Sequence, residues 1–255
     1  MALVRTKALV IREQPFQDHD KILTLFTETE GKQKAIAKGA RRRKGSLGVA
    51  TQLFAYGDFV YYPGKNFANI NEVTLIEAFY ALRGNVMKMA LGSYLLELLD
   101  VFFDFYQGDP ELLKAATHIL YYLSENMAAS NEALAAGFQL KLTRRQGLGP
   151  VLTRCVRSGE REALTAFSIA DGGVVTEAYR RAGDQALSAD LRRALERLMG
   201  ESIRDICHGD WDAAVVRQAF KLGQAYIAAQ AGRRIKSYDF YRQLADGMDP
   251  ARGKH

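Results

Sequence analysis

Seven basic side chains (Lys32, Lys34, Lys38, Arg41, Arg42, Arg43 and Lys44) crowd one short stretch that carries no acid. Adjacent cations repel, so such a run persists only against solvent or against something negative. A phosphate backbone suits this charge density, because Lys and Arg contacts neutralise phosphates and release condensed counterions. A solvated surface loop or a localisation-type basic cluster has the same composition. A second group, Arg233, Arg234 and Lys236, follows Gly232. A third, Lys141, Arg144 and Arg145, lies beside Leu140 and Leu142 in a helical stretch. Cations flanking an apolar ridge fit an acidic, apolar partner tail, although an amphipathic helix with a basic outer face reads the same way.

Catalytic constellations are weak by comparison. Asp18-His19-Asp20 resembles the His-Asp doublet of metal phosphohydrolases, but that chemistry needs further His and Asp ligands, and the chain has only four histidines. No Gly-x-Ser-x-Gly elbow, phosphate-binding P-loop or Gly-x-Gly-x-x-Gly pattern occurs. Cys155 and Cys207 are the only cysteines, too few for a disulfide framework and in keeping with a reducing cytosol. The expectation is a binding protein, not an enzyme. A formal net charge of +6 favours an anionic partner without naming it. The N-terminus has no apolar secretory core. The most apolar run, 89–106, carries Glu97, Asp100 and Asp104 and reads as a buried helix, not a membrane span.

The elements that must position these groups fall into two textures. Residues 3–11 alternate, with Val4, Thr6, Ala8 and Val10 opposite Arg5 and Lys7, as a half-buried strand does. Residues 14–20 read as a polar loop containing Pro15, and 22–27 as a second strand. Gly31 suits a turn, after which Lys34, Ile36 and Lys38 oppose Gln33, Ala35 and Ala37 in a basic strand. Strands over 53–62, broken near Gly57-Asp58, and over 71–79 complete five strands in about 80 residues, the density of a small antiparallel barrel. Phe54, Tyr56, Phe59, Tyr61, Tyr62 and Phe67 offer stacking faces wherever they escape the core. Beyond residue 82 apolar residues recur at spacings of three and four. Asp109-Pro110 opens one helix, Gly147 and Gly149-Pro150 end another, Ser188 caps a third, and Gly232 ends the last. The fold class is α+β: a five-stranded oligonucleotide-binding (OB) barrel at 1–82 and a mainly helical domain at 83–255. A small irregular hairpin, centred on 167–175, sits within an insert at about 151–187.

The order of several motifs resembles the RecO family of bacterial recombination mediators over essentially the whole chain. They are Leu25-Phe26-Thr27 with Gly31-Lys32, Ala37-Lys38-Gly39-Ala40-Arg41, Tyr94 to Leu99, Gly147 to Pro150, Cys155, Phe167-Ser168 to Gly172-Gly173, and Gly232 to Ser237. The resemblance implies binding of single- and double-stranded DNA, annealing of complementary strands and help in loading RecA. It implies RecR and the acidic C-terminal tail of single-stranded DNA-binding protein as partners, a cytoplasmic, nucleoid-associated location and no membrane. Many members of this family carry two Cys-x-x-Cys pairs, a structural zinc signature. Here the matching positions are Cys155, Ser158, Thr176 and Tyr179, so Cys155 is the one ligand position retained and no zinc or other cofactor is expected. The alternative reading is an RNA-binding or assembly adaptor that uses the barrel as a protein dock. Contacts that exploit the ribose 2′-OH would mark it.

Overall fold

The computed structural model describes residues 2–42 and 47–247. In chain order these form five strands, β1 Val4–Phe16, β2 Asp20–Thr27, β3 Lys32–Ala37, β4 Tyr56–Tyr62 and β5 Ala68–Glu77. Helices α1 Val86–Phe102, α2 Pro110–Ser124 and α3 Asn131–Arg145 come next. Three short strands follow, β6 Leu164–Ser168, β7 Gly173–Thr176 and β8 Gln185–Ala186. The chain then runs through α4 Ala189–Gly200, α5 Ile203–His208, α6 Ala213–Ala231 and α7 Lys236–Gly247. They divide into two compact units, 1–125 with 237–255, and 126–236.

In the first unit the five strands close into a barrel in the order β1-β2-β3-β5-β4, with β4 returning to β1. All neighbours are antiparallel except β3 and β5. One long strand closes the circle: Val4 to Leu9 of β1 pair with β4, while Ala8 to Phe16 pair with β2. A register shift between Val10 and Arg12 marks the bend between the two halves, as a bulge does in small barrels. Inward positions alternate as the sequence predicts. Ala8, Val10, Leu23, Leu25, Ala35, Ala37, Phe59, Tyr61 and Ile70 form the interior. Alanines on β3 leave room for the two aromatic rings of β4.

Three boundaries differ from the sequence reading. The expected polar loop at 14–20 is largely strand, because β1 runs to Phe16 and only Gln17 to His19 turn. Pro15 is tolerated because this half of β1 pairs with β2 alone, so its missing N–H faces no second strand. The expected break near Gly57-Asp58 does not interrupt β4, but pairing with β5 shifts register between Tyr56 and Gly57. Gly57 is also a close approach, where a Cβ would lie 2.5 Å from the Thr74 carbonyl oxygen of β5. β5 ends at Glu77, whose carboxylate accepts the N–H groups of Ala78 and Phe79.

Helices also belong to this unit. Asn85 caps α1 and Asp109 caps α2, with Pro110 in the first turn of α2. The Phe103 ring meets Phe26 edge-on at 5.0 Å. From Ser237 onward α7 returns here, with Ser237 donating to Glu97 and Tyr238 beside Tyr94. The change from strand to helix near residue 82 and the parting of the compact units between Glu125 and Asn126 lie at different places in the chain.

The second unit packs α3 to α6 with a three-stranded sheet in the order β7-β6-β8. The expected hairpin is β6–β7, and β8 adds a third strand. Ser130, Ser188 and Asp212 cap α3, α4 and α6, and Gly232 ends α6 in the left-handed conformation (φ 62°). Among the described residues no helix is long and apolar enough to cross a membrane.

Candidate nucleic-acid interface

β3 presents its even-numbered residues outward because Gln33, Ala35 and Ala37 are buried. Lys34 is exposed, and its ammonium lies 4.8 Å from the centre of the Phe67 ring. Lys38, Arg41 and Arg42 follow, all exposed. The loop that carries them is tied to the β1–β2 turn. Gly39 N–H donates to Asp20 at 2.8 Å, Arg41 N–H donates to the His19 carbonyl at 2.9 Å, and the Arg41 guanidinium reaches the carbonyls of Gln17 and Asp18. Asp20 thus anchors a loop. Among the described residues no three His, Cys, Asp or Glu side chains gather as a metal site. Arg43 and Lys44 lie outside the described residues.

Lys32 corrects the expectation of a continuous surface run. It is 5% exposed, and its ammonium donates to the Asp100 carbonyl at 2.8 Å and the Asp100 carboxylate at 3.2 Å. The segment after α1 covers it by pairing with β3: Lys32 N–H donates to the Gln107 carbonyl and Tyr106 N–H to the Lys32 carbonyl. Gly31 (φ 66°) permits that approach, since a Cβ there would lie 2.4 Å from the Gln107 backbone. A cation taking a carbonyl at the end of α1 also suits the negative end of the helix dipole.

The sequence reading missed Arg12. It pairs across Thr24 with Lys34, so its largely exposed side chain shares their face. Simple alternation would have put residue 12 on the inner face with Ala8 and Val10; the register shift between Val10 and Arg12 turns it outward, and no local pattern signals that shift. Of the six aromatics, Phe54, Phe59 and Tyr61 are core, Tyr56 and Phe67 are half-buried, and Tyr62 is 48% exposed.

Sequence comparison carries the interpretation further. Residues 1–79 match the family model described as recombination protein O N terminal, and residues 83–239 match recombination protein O C terminal. The chain is 31% identical over 245 residues to a DNA repair protein RecO of Clostridium novyi, covering 96% of this chain and 95% of that one. A RecO of Symbiobacterium thermophilum is 32% identical over 252 residues, covering 96% and 98%. The chain belongs to the RecO family. Its five-stranded barrel followed by helices is the α+β, OB-type architecture expected from the sequence.

The other basic groups of this RecO chain lie in the second unit. Arg233, Arg234 and Lys236 are exposed and follow the Gly232 cap. On α3, Arg144 and Arg145 are exposed, whereas Lys141 is half-buried and donates to the Glu201 carbonyl. Burial and then Arg144 push the Lys141 ammonium below its ordinary pKa, partly offset by Glu201. Its charge is already engaged within the unit.

In the insert around β6–β8, no three His, Cys, Asp or Glu side chains gather among the described residues. Cys155 is buried, and Ser158, Thr176 and Tyr179 stand at the three other positions that the sequence reading singles out. Burial pushes the Cys155 thiol up, but hydrogen bonds from the Ser158 side chain and from the backbone of Thr176, Arg157 and Ser158 outweigh it and bring the pKa to about 7. Cross-linking comes instead from Arg157. Its guanidinium binds Asp171 at 2.7 Å, Asp184 at 2.6 Å, the Tyr179 carbonyl at 2.6 Å and Ser168 at 3.1 Å. One side chain therefore joins β6, the β6–β7 turn and the segment before β8.

Proposed function

We propose that this chain binds DNA without sequence specificity through its barrel and anneals complementary strands as a recombination mediator. The observation that carries the reading is the exposure of Lys34, Lys38, Arg41 and Arg42 along β3 and the loop that follows it, in a RecO-family chain. Annealing requires no bond to be made or broken. Two phosphate backbones repel, and cations that screen them allow bases to pair, provided the contacts are mainly to phosphates. No hydrolysis is needed, in keeping with a non-enzymatic role. Within the same reading, the chain acts in the cytoplasm at the nucleoid. It works with RecR, assists RecA loading on coated DNA, and receives the acidic tail of single-stranded DNA-binding protein at Arg144 and Arg145. The exposure of those two arginines beside a buried apolar helix face supports this last assignment. The ribbon, on this reading, is held without zinc.

The test is annealing of complementary oligonucleotides, bare and coated with single-stranded DNA-binding protein. Wild type is compared with the Arg41→Ala/Arg42→Ala/Arg43→Ala variant. The expected result is rapid annealing by wild type and at least tenfold slower annealing by a variant that remains folded, roughly the loss expected from three phosphate contacts. Equal rates would move the DNA path off the barrel, and no annealing by wild type would refute the mediator reading.

A further inference from the structure

The barrel's register sets Ile22, Ile36, Asn69 and Tyr62 side by side, each the direct partner of the next across β2, β3, β5 and β4. Their chain neighbours Leu23, Ala35, Ala68 and Tyr61 point into the interior. The row therefore faces outward, since successive side chains alternate. It lies between cations: Lys34 is two residues before Ile36 on the same face, and Lys38 is two residues after it. Phe67 flanks the row with Lys34 above its ring. Tyr62, 48% exposed, presents a flat apolar face on the same outer surface as Lys34, two strands away across β5. Single-strand binders use this pairing of groups, with backbone held by cations and bases laid on aromatic rings.

We infer that Tyr62 and Phe67 stack on unpaired bases of a strand whose phosphates are held by Lys34, Lys38, Arg41 and Arg42. This rests on the DNA-binding reading above and adds a preference to it. Stacking needs bases released from a duplex, so these two rings favour single over double strands, whereas the cations favour both. The tyrosine hydroxyl is not required, because a ring face does the work.

The experiment measures fluorescence anisotropy of the full chain with three labelled probes at one salt concentration: a dT oligonucleotide, an abasic oligomer of equal length, and a duplex. Tyr62→Ala is expected to weaken dT binding at least about fivefold, leaving the abasic and duplex probes within about twofold. Phe67→Leu follows the same pattern more weakly, and Tyr62→Phe matches wild type. Equal loss on all three probes would mean that Tyr62 acts through barrel structure or phosphate contact, and would overturn the inference. Undiminished dT binding by both Tyr62→Ala and Phe67→Leu would also overturn it, including the case where the surface receives a protein partner instead. The Arg41→Ala/Arg42→Ala pair separates the two levels. If it weakens every probe while Tyr62→Ala weakens none, stacking alone falls. If wild type binds none of the probes, the DNA reading falls with it.

Discussion

Lys32 and Lys34 share the outward face of β3, two positions apart, and the chain uses them oppositely. Lys32 lies under the segment that follows α1 and is held by Asp100; Lys34 stands open over Phe67. Charge counting along the sequence treats them alike, because what separates them is a contact between residues 68 positions apart. Lys32→Met is expected to lower stability by about 1–3 kcal/mol, since the Asp100 carbonyl and Oδ1 lose their buried ammonium donor and the carboxylate keeps only Arg12 at 3.9 Å. DNA affinity should not change. Lys34→Ala should do the reverse: stability within about 0.5 kcal/mol of wild type and measurably weaker DNA binding. Denaturant midpoints paired with anisotropy titrations check both. Weakened DNA binding by a Lys32→Met protein of unchanged stability would return Lys32 to the interface.

At the scale of elements, strands with an apolar inner face were legible and those with a solvated outer half were not. β3 is readable because Gln33, Ala35 and Ala37 alternate with larger outward residues. The end of β1 looks like a loop because both of its faces are largely polar beyond Arg12, yet pairing with β2 satisfies its backbone. α7 was hidden by its basic start, although Tyr238 and Tyr241 already stand at helical spacing. The ribbon shows a different limit. That Cys155 stands with Ser158, Thr176 and Tyr179 is visible in the sequence, but Arg157 joining Asp171 and Asp184 needs the fold. The hydrogen bond from Arg157 is the main cause holding Asp184 at a pKa of about 2, against burial pushing it up. A depressed carboxylate stabilises above its ordinary pKa near 4 and loses that contribution as pH falls toward 2. Amide exchange in β6–β8 should therefore be protected equally at pH 7 and pH 5 and weaken below about pH 4. Arg157→Ala should abolish much of that protection already at pH 7 while sparing α3 and α6. Treatment of wild type with a chelator should change nothing. Loss of ribbon protection on chelation would show that a metal, and not Arg157, holds it.

For the whole molecule, the basic character of the chain is spread over two compact units, and its sign was readable where its use was not. β3 and the loop after it carry Lys34, Lys38, Arg41 and Arg42 exposed, whereas Tyr62 joins the outer face of Lys34 only through register across β3, β5 and β4, a relation no local pattern encodes. The second unit carries Arg233, Arg234 and Lys236. Counterion release separates their contributions, because each phosphate contact adds a fixed increment to the dependence of log affinity on log salt. If the barrel is the single-strand site, Arg41→Ala/Arg42→Ala should lower the slope by roughly two units for a dT probe, about one per contact. Arg233→Ala/Arg234→Ala should leave that slope unchanged. The same titration with a duplex probe is the stricter comparison. A charge surface that ignores base identity should give parallel losses on single and double strands for the barrel arginines. A slope lowered by the second pair instead would place the phosphate path in the helical unit and leave the barrel cations as solvated surface.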